Sequence, residues 1–401
     1  MKVVHINICG NLSTGNIASD IIRIVNAKGG EGIIAYARGK GYDDIKSIQI
    51  GTKWNVYMHA LMSRLTDRTG FYSKYATKCL VERLQAEDPD IIHLHNIHGY
   101  YLHVGVLFEY LKKCGKPIVW TQHDCWAFTG HCPYFSAVGC NRYLKGCYAC
   151  PQKREYPASW LMDQSARNYR DKQLLFTGVP NMTLVTPSIW LKQIIGHSFL
   201  QDYDCRVIQN GVDPQKFYPR SDNGFRKKYH LEKKRIVLGV ASAWSPRKGY
   251  ADFLELASLV DENVKIVMVG LYKEQIAQLP KQILGLERTT SVEELAQIYT
   301  EADIYFNASV EETMGLTTME AILCGTPVVV YDATAVPECV TKKNGYIVAP
   351  HDVEAVANLV NSDVWKNFIE PLEYDDRYIK DNAYEKYYEL YQELLERTQT
   401  E

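Results

Sequence analysis

The chain has 401 residues, 46% hydrophobic and 23% charged, with a formal net charge of −2. That is enough for two domains with sizeable cores, and so neutral a balance excludes non-specific nucleic-acid binding driven by bulk charge. No run of 18 apolar residues occurs, which excludes an ordinary membrane-spanning helix.

The opening MKVVHINICGN holds too short an apolar run for an export signal and reads as a first strand, VVHINI (3–8). The expected location is therefore the cytoplasm, where the 11 cysteines are reduced thiols or metal ligands. Helix-like ASDIIRIVNAKGG follows, then GIIAYA (32–37), the helix CLVERLQAEDPD, the strand IIHLHN (91–96), the helix VLFEYLKKCGK and PIVWTQHD (117–124). The alternation predicts a parallel, doubly wound sheet with helices on both faces. It restarts with RIVLGVAS (235–242), YADFLELASLV, KIVMVG (265–270), VEELAQIYTEA, DIYFNA (303–308), TTMEAILCG and PVVVYD (327–332). The expected fold is α/β, two Rossmann-like domains facing across a cleft. The expected spans are 1–187, 188–365 and a helical segment 366–401 that packs back on the first domain. Ligands of such sheets bind beyond the carboxyl ends of the strands.

EETMGLTTME (311–320) carries Glu312 and Glu320. A continuous helix would set them about 80° apart in azimuth and roughly 12 Å apart along the axis. Gly315 allows the helix to begin after it. Glu312 then lies in a loop, and Leu316, Thr317 and Thr318 offer free N–H groups at a helix N-terminus, where an anion can bind. The plain alternative is a surface loop and a helix glutamate stabilised by the dipole.

ADIYFNASVEETMGLTTMEAILCGTPVVVYD resembles the signature of glycosyltransferase family 4: two glutamates eight positions apart, then Ala, Gly-Thr-Pro-Val-Val. NGVDPQKFYP (210–219), SPRKG (245–249) and NGYIV (344–348) resemble further segments of that family in the same order. The resemblance implies a GT-B fold and retaining transfer from a nucleotide-sugar, with no cofactor required for catalysis. STGNIASDI (13–21), IIHLHNIHGYY (91–101), WTQHDCWAFTGHC (120–132) and GCYACP (146–151) resemble a bacterial subgroup that builds surface polysaccharides.

Carried over by position, the resemblance makes Glu312 and His123 catalytic, contacting the donor sugar. Glu320 would hold the ribose hydroxyls, Lys248 the donor phosphates, and Gly315, Leu316, Thr317 and Thr318 the phosphate cradle. Many members have an arginine where this chain has Ala243, so Arg247 is the expected second cation. Gly15, in the loop after the first strand, is expected to let backbone approach the donor. His95 and Asn96, ending another strand, are placed on the acceptor side.

Cys132, Cys140, Cys147 and Cys150 lie in a long loop with little apolar content, GHCPYFSAVGCNRYLKGCYACPQK. A tight CxxC with two further thiolates can close a structural zinc site; disulfides or unrelated thiols are the alternatives. DPD (88–90) precedes a strand and reads as a lead-in turn, not as a metal motif. The stretch 54–78 mixes aromatics with Arg and Lys, and is either a helix packed on the sheet or a surface resting on a membrane. The expected activity is therefore retaining transfer to a glycan, with a lipid-linked acceptor in view. The alternatives are a nucleotide-sugar epimerase of the same architecture or a non-catalytic nucleotide-sugar-binding homologue.

Overall fold

In the computed structural model, which describes residues 1–221, 224–368 and 371–400, the chain forms two units. One is Met1–Ile208 joined by the segment from Tyr384 onward; the other is Gln209–Ala383.

The first unit holds a seven-stranded sheet: β1 (Lys2–Cys9), β2 (Glu31–Arg38), β3 (Lys46–Gln49), β4 (Ile91–Leu94), β5 (Ile118–Thr121), β6 (Met182–Thr186) and β7 (Asp204–Val207). Its order is β3-β2-β1-β4-β5-β6-β7, with parallel neighbours throughout. The second unit holds β8 (Arg235–Val240), β9 (Val264–Val269), β10 (Ile283–Leu286), β11 (Ile304–Asn307), β12 (Val328–Tyr331) and β13 (Gly345–Val348), in the order β10-β9-β8-β11-β12-β13. The runs IIHL, IVWT, IYFN and VVVY are buried along their whole length, as strands covered on both faces must be. Each sheet reverses its winding once, between β1 and β4 in the first and between β8 and β11 in the second. Such a reversal opens a crevice beyond the carboxyl ends of the two strands.

The break between units comes after Ile208, later than the expected 187. The polar segment Asp204–Val207 is the seventh strand of the first sheet, paired with β6. The expected terminal segment also divides. Its first part stays with the second unit, where Val212 and Lys380 exchange backbone hydrogen bonds with Tyr378 and Val212 respectively. From Tyr384 the chain joins the first unit, and Tyr387 and Tyr391 are fully buried there. The stretch 54–78 is two helices, Lys53–Thr66 and Lys74–Glu87; the first is capped by Thr52 and ended by Asp67 in the left-handed region. DPD is the turn before β4, its Asp90 carboxylate accepting the Lys2 N–H.

Candidate active site

In the second unit the candidate residues follow the two strands at the reversal. Lys248 ends a short 3-10 turn, Pro246–Lys248, after β8. Glu312 lies in the loop between β11 and the helix Leu316–Leu323. They form an ion pair, Lys248 Nζ to Glu312 Oε1, with side chains 19% and 16% exposed. Gly249 makes this approach possible. It has φ +70, and a Cβ there would stand 2.3 Å from the Ala308 Cβ and 2.5 Å from the Ala308 carbonyl oxygen. The two loops are stitched together on either side of the pair. The Val310 N–H donates to the Arg247 carbonyl, and Arg247 Nη1 donates to the Glu311 carbonyl at 2.6 Å. A third loop supports Glu312: its N–H donates to Thr334 Oγ1 at 2.9 Å and its carbonyl accepts from Ala335.

The helix begins at Leu316, as the glycine suggested, but through a different turn. Gly315 has φ −85 and ψ 64, an inverse γ-turn, and not a left-handed conformation. In that turn the Leu316 N–H donates to the Met314 carbonyl, and the Thr318 N–H donates to the Gly315 carbonyl. Two of the three amides expected to be free are thus engaged. The threonine hydroxyls are fixed from below. Tyr305 OH donates to Thr317 Oγ1 at 2.8 Å, and Asn307 Nδ2 donates to Thr318 Oγ1 at 3.0 Å. One turn on, half-buried Glu320 accepts from the buried Tyr299 OH at 3.0 Å. Burial pushes its carboxyl up to about 7, against the opposing effect of that hydrogen bond. A carboxylate so placed gains from any further hydroxyl donor that reaches it.

In the first unit the candidates follow β1 and β4, the strands at the reversal, and the neighbouring β5. His123 lies two residues beyond β5, buried, and its Nε2 is 3.0 Å from Nδ1 of His95. Burial lowers its pKa to about 4, so the ring is neutral near pH 7. His95 is 1% exposed and its other nitrogen lies 3.0 Å from His5 Nδ1. That corrects its expected role: both ring nitrogens are spent inside the sheet, and neither is open to an acceptor. Asn96 is half-buried, with its backbone held by Asn7 and Tyr101. Gly15 has a packing reason. A Cβ would lie 2.6 Å from the Cys9 carbonyl oxygen, and its N–H donates to Leu12. The residues before it, Leu12 and Ser13, carry positive φ values of 69° and 43°, an unusual pair for non-glycines.

Sequence reasoning missed His5, His93 and the pair His98–Asp124. His98 Nε2 lies 2.8 Å from Asp124 Oδ2, and Asp124 also accepts the Trp126 N–H. The available signal was the alternation of HINI and IIHLHN, which puts His5, His93 and His95 on one face.

The cysteine loop is less closed than expected. Tetrahedral zinc holds its sulfurs about 3.8 Å apart, whereas among the described residues no three of Cys132, Cys140, Cys147 and Cys150 lie within 4.8 Å of one another. All four are free thiols. The loop is organised by other contacts: hydrogen bonding from Cys132 lowers the Cys150 thiol to about 7, and His131 Nδ1 lies 2.5 Å from Asp67 Oδ1.

Comparison with known proteins decides the family. Residues 53–216 match the family described as Glycosyltransferase Family 4, and residues 234–362 match Glycosyl transferases group 1. The chain belongs to the family-4 glycosyltransferases. This glycosyltransferase is 23% identical over 284 residues to the putative colanic acid biosynthesis glycosyl transferase WcaC of Escherichia coli K12, covering 69% of this chain and 68% of WcaC. Among solved structures it resembles a glycosyltransferase from Rickettsia africae (16% identity, TM-score 0.68, 98% of each chain). It also resembles Anabaena Alr3699/HepE in complex with UDP and glucose (17% identity, TM-score 0.63, 100% of each chain). The fold is GT-B, and the chain is a glycosyltransferase.

Proposed function

We propose that the enzyme transfers a sugar from a nucleoside diphosphate donor to a glycan acceptor, lipid-linked and destined for surface polysaccharide, with the anomeric configuration retained. The second unit binds the donor. The first binds the acceptor and supplies His123. The single observation that carries this reading is the ion pair Lys248–Glu312, held at a sheet reversal by a glycine that admits no side chain.

The chemistry follows from those groups. Cleavage of the C1–O bond to the diphosphate leaves negative charge on the leaving oxygen and positive charge on the sugar ring. Lys248, with three donors, answers the first while keeping its bond to Glu312. Glu312 answers the second. The acceptor oxygen attacks from the face the diphosphate leaves, and its proton passes to the leaving phosphate oxygen, so no separate base is required. Glu320 accepts from the ribose hydroxyls beside Tyr299. The Anabaena structure, solved with UDP and glucose, makes uridine diphosphate sugars the first donors to test.

A membrane-bound acceptor is supported by one surface. Trp54, Tyr57 and Leu61 fall on one stripe of the helix Lys53–Thr66 and are 69%, 66% and 42% exposed. The loop carrying Trp160 and Leu161, 60% and 67% exposed, is tied to that helix by the Trp160 N–H donating to the Arg64 carbonyl. Aromatic and aliphatic groups flanked by Lys53 and Arg64 suit the interfacial layer of an anionic bilayer at its cytoplasmic face. Among the described residues no helix is long and apolar enough to cross a membrane. For the cysteine loop, structural zinc is our proposal; it requires the sulfurs to draw together on binding.

A thermal-shift screen of UDP-, GDP- and ADP-sugars tests donor binding, because a ligand that binds only the folded state must raise its stability. No shift with any of them would remove the reading. Sedimentation with phosphatidylglycerol vesicles, compared between wild type and Trp54→Ala/Trp160→Ala, tests the surface. Metal analysis of chelator-free protein giving below about 0.2 equivalents would remove zinc.

A further inference from the structure

A second cluster stands at the carboxyl ends of the first sheet, apart from the histidines. Arg38 is the last residue of β2, in register with Cys9 at the end of β1, and is exposed. Tyr100 lies in the loop after β4, one of the two strands at the reversal. Arg64 comes from the last turn of the helix Lys53–Thr66 and is half-buried. The guanidinium carbons of both arginines lie 5.8 Å from the centre of the Tyr100 ring. Tyr100 itself is buried and holds φ +74, a conformation that a tyrosine rarely adopts.

Among the described residues neither arginine has a carboxylate partner. Other arginines of this unit do: Arg23 pairs with Asp20 and Asp44, Arg68 with Asp171, and Arg206 with Asp204. A single arginine resting on a ring is ordinary packing. Two of them, brought to one ring by separate elements, gather like charge in one place, which repels itself until an anion arrives. Both cations act on the Tyr100 hydroxyl: burial pushes it up, while Arg64 and Arg38 pull it the other way.

Arg64 also joins this spot to the exposed apolar surface. Its guanidinium lies 5.7 Å from the centre of the Trp160 ring, and its carbonyl accepts the Trp160 N–H. A pair of cations and an apolar surface thus lie side by side on one unit. That is the order of groups in a sugar carried on a lipid phosphate: the chain first, then the oxyanions, then the sugar. A sugar carboxylate would meet the arginines but make no use of the apolar side.

We propose that Arg38 and Arg64, seated on Tyr100, form the subsite for the phosphate or diphosphate of a lipid-linked acceptor, with its chain against Trp160. Each planar guanidinium can hold two oxygens of a phosphate. No bond forms or breaks at this subsite; it sets where along the acceptor the sugar meets the crevice beyond β1 and β4. This rests on the transfer to a lipid-linked glycan proposed above, and it names the group by which that acceptor is held.

The test uses the full chain, with farnesyl diphosphate as the probe in titration calorimetry. Arg38→Gln and Arg64→Gln are each expected to weaken binding about 10-fold, and the double variant about 100-fold, as charge-assisted hydrogen bonds are lost. Farnesol, which has the chain and no anion, is expected to bind wild type and the double variant alike. Inorganic diphosphate, which has the anion and no chain, is expected to bind wild type more weakly than the probe does. Release of nucleoside diphosphate from a sugar donor, measured without acceptor, is expected to be the same in wild type and the double variant. Undiminished probe binding by a folded double or single variant overturns the proposal, and so does no binding to wild type. Methyl glucuronide displacing the probe at equal concentration would overturn it by making a sugar carboxylate the anion. A fall in donor release alongside the loss of probe binding would overturn it by assigning the arginines to the donor. If no sugar donor binds at all, the transfer reading falls, whereas arginine-dependent binding of the probe would still support the anion subsite.

Discussion

The two sheets place polar groups at the same topological position and prepare them in opposite ways. In the second unit, at the reversal between β8 and β11, the groups are a charged pair, Lys248 and Glu312, still partly open to solvent. In the first, at the reversal between β1 and β4, they are neutral imidazoles sealed from solvent. The difference teaches what each is suited to. An ion pair kept near the surface avoids the large cost of burying charge and can meet an anionic ligand. A buried neutral series cannot carry charge cheaply, but it can fix the orientation of one ring.

The comparison can be broken most decisively at the charged end. Lys248→Ala should lower transfer by about 100-fold or more, since it removes a cation matched to the leaving group. Its melting temperature should fall as well, because the side chains are only 19% and 16% exposed and Glu312 is left without its cation, a loss of about 1–3 kcal/mol. A kinetic assay beside a thermal melt checks both. Gly249→Ala tests how the pair is assembled. With φ +70 and Ala308 in the way, it should cost about 2 kcal/mol or more in urea unfolding and reduce activity as well.

The neutral end should show in the pH dependence of stability. His5 and His123 have folded pKa values of about 3 and about 4, below the unfolded value near 6.5. Between those limits the unfolded chain binds more protons, so stability should fall as pH drops from about 6.5 towards 4. Glu320 runs the other way. Its carboxyl is raised from 4.5 to about 7, so the folded state binds the extra proton and stability is lost as pH rises through that window. Glu320→Gln should therefore be about 1–2 kcal/mol more stable than wild type at pH 8, while binding the donor more weakly. Denaturant titrations at pH 5, 6.5 and 8 separate the two trends.

Much of this was legible in the chain. β1, β4, β5, β8, β9, β11 and β12 appear as short apolar runs because parallel strands are buried on both faces. The loop position of Glu312 followed from Gly315 and the family pattern. What could not be read was set by distant partners or by exact dihedral angles. His95 looked like an open strand-end residue because His5, which occupies one of its nitrogens, is 90 positions away. The end of the first unit was set too early because DCRV is short and polar, and only pairing with β6 makes it a strand. The amides at 316 and 318 seemed free because a glycine allows several turns, and the one adopted engages both.

The most direct test of the central claim, that Lys248 and Glu312 serve the donor's reacting end, is donor turnover measured side by side in wild type and Glu312→Ala. The account expects wild type to release the nucleoside diphosphate from its accepted sugar donor, and the variant, still folded at the assay temperature, to do so about 100-fold more slowly. Equal rates in the two folded proteins would contradict it.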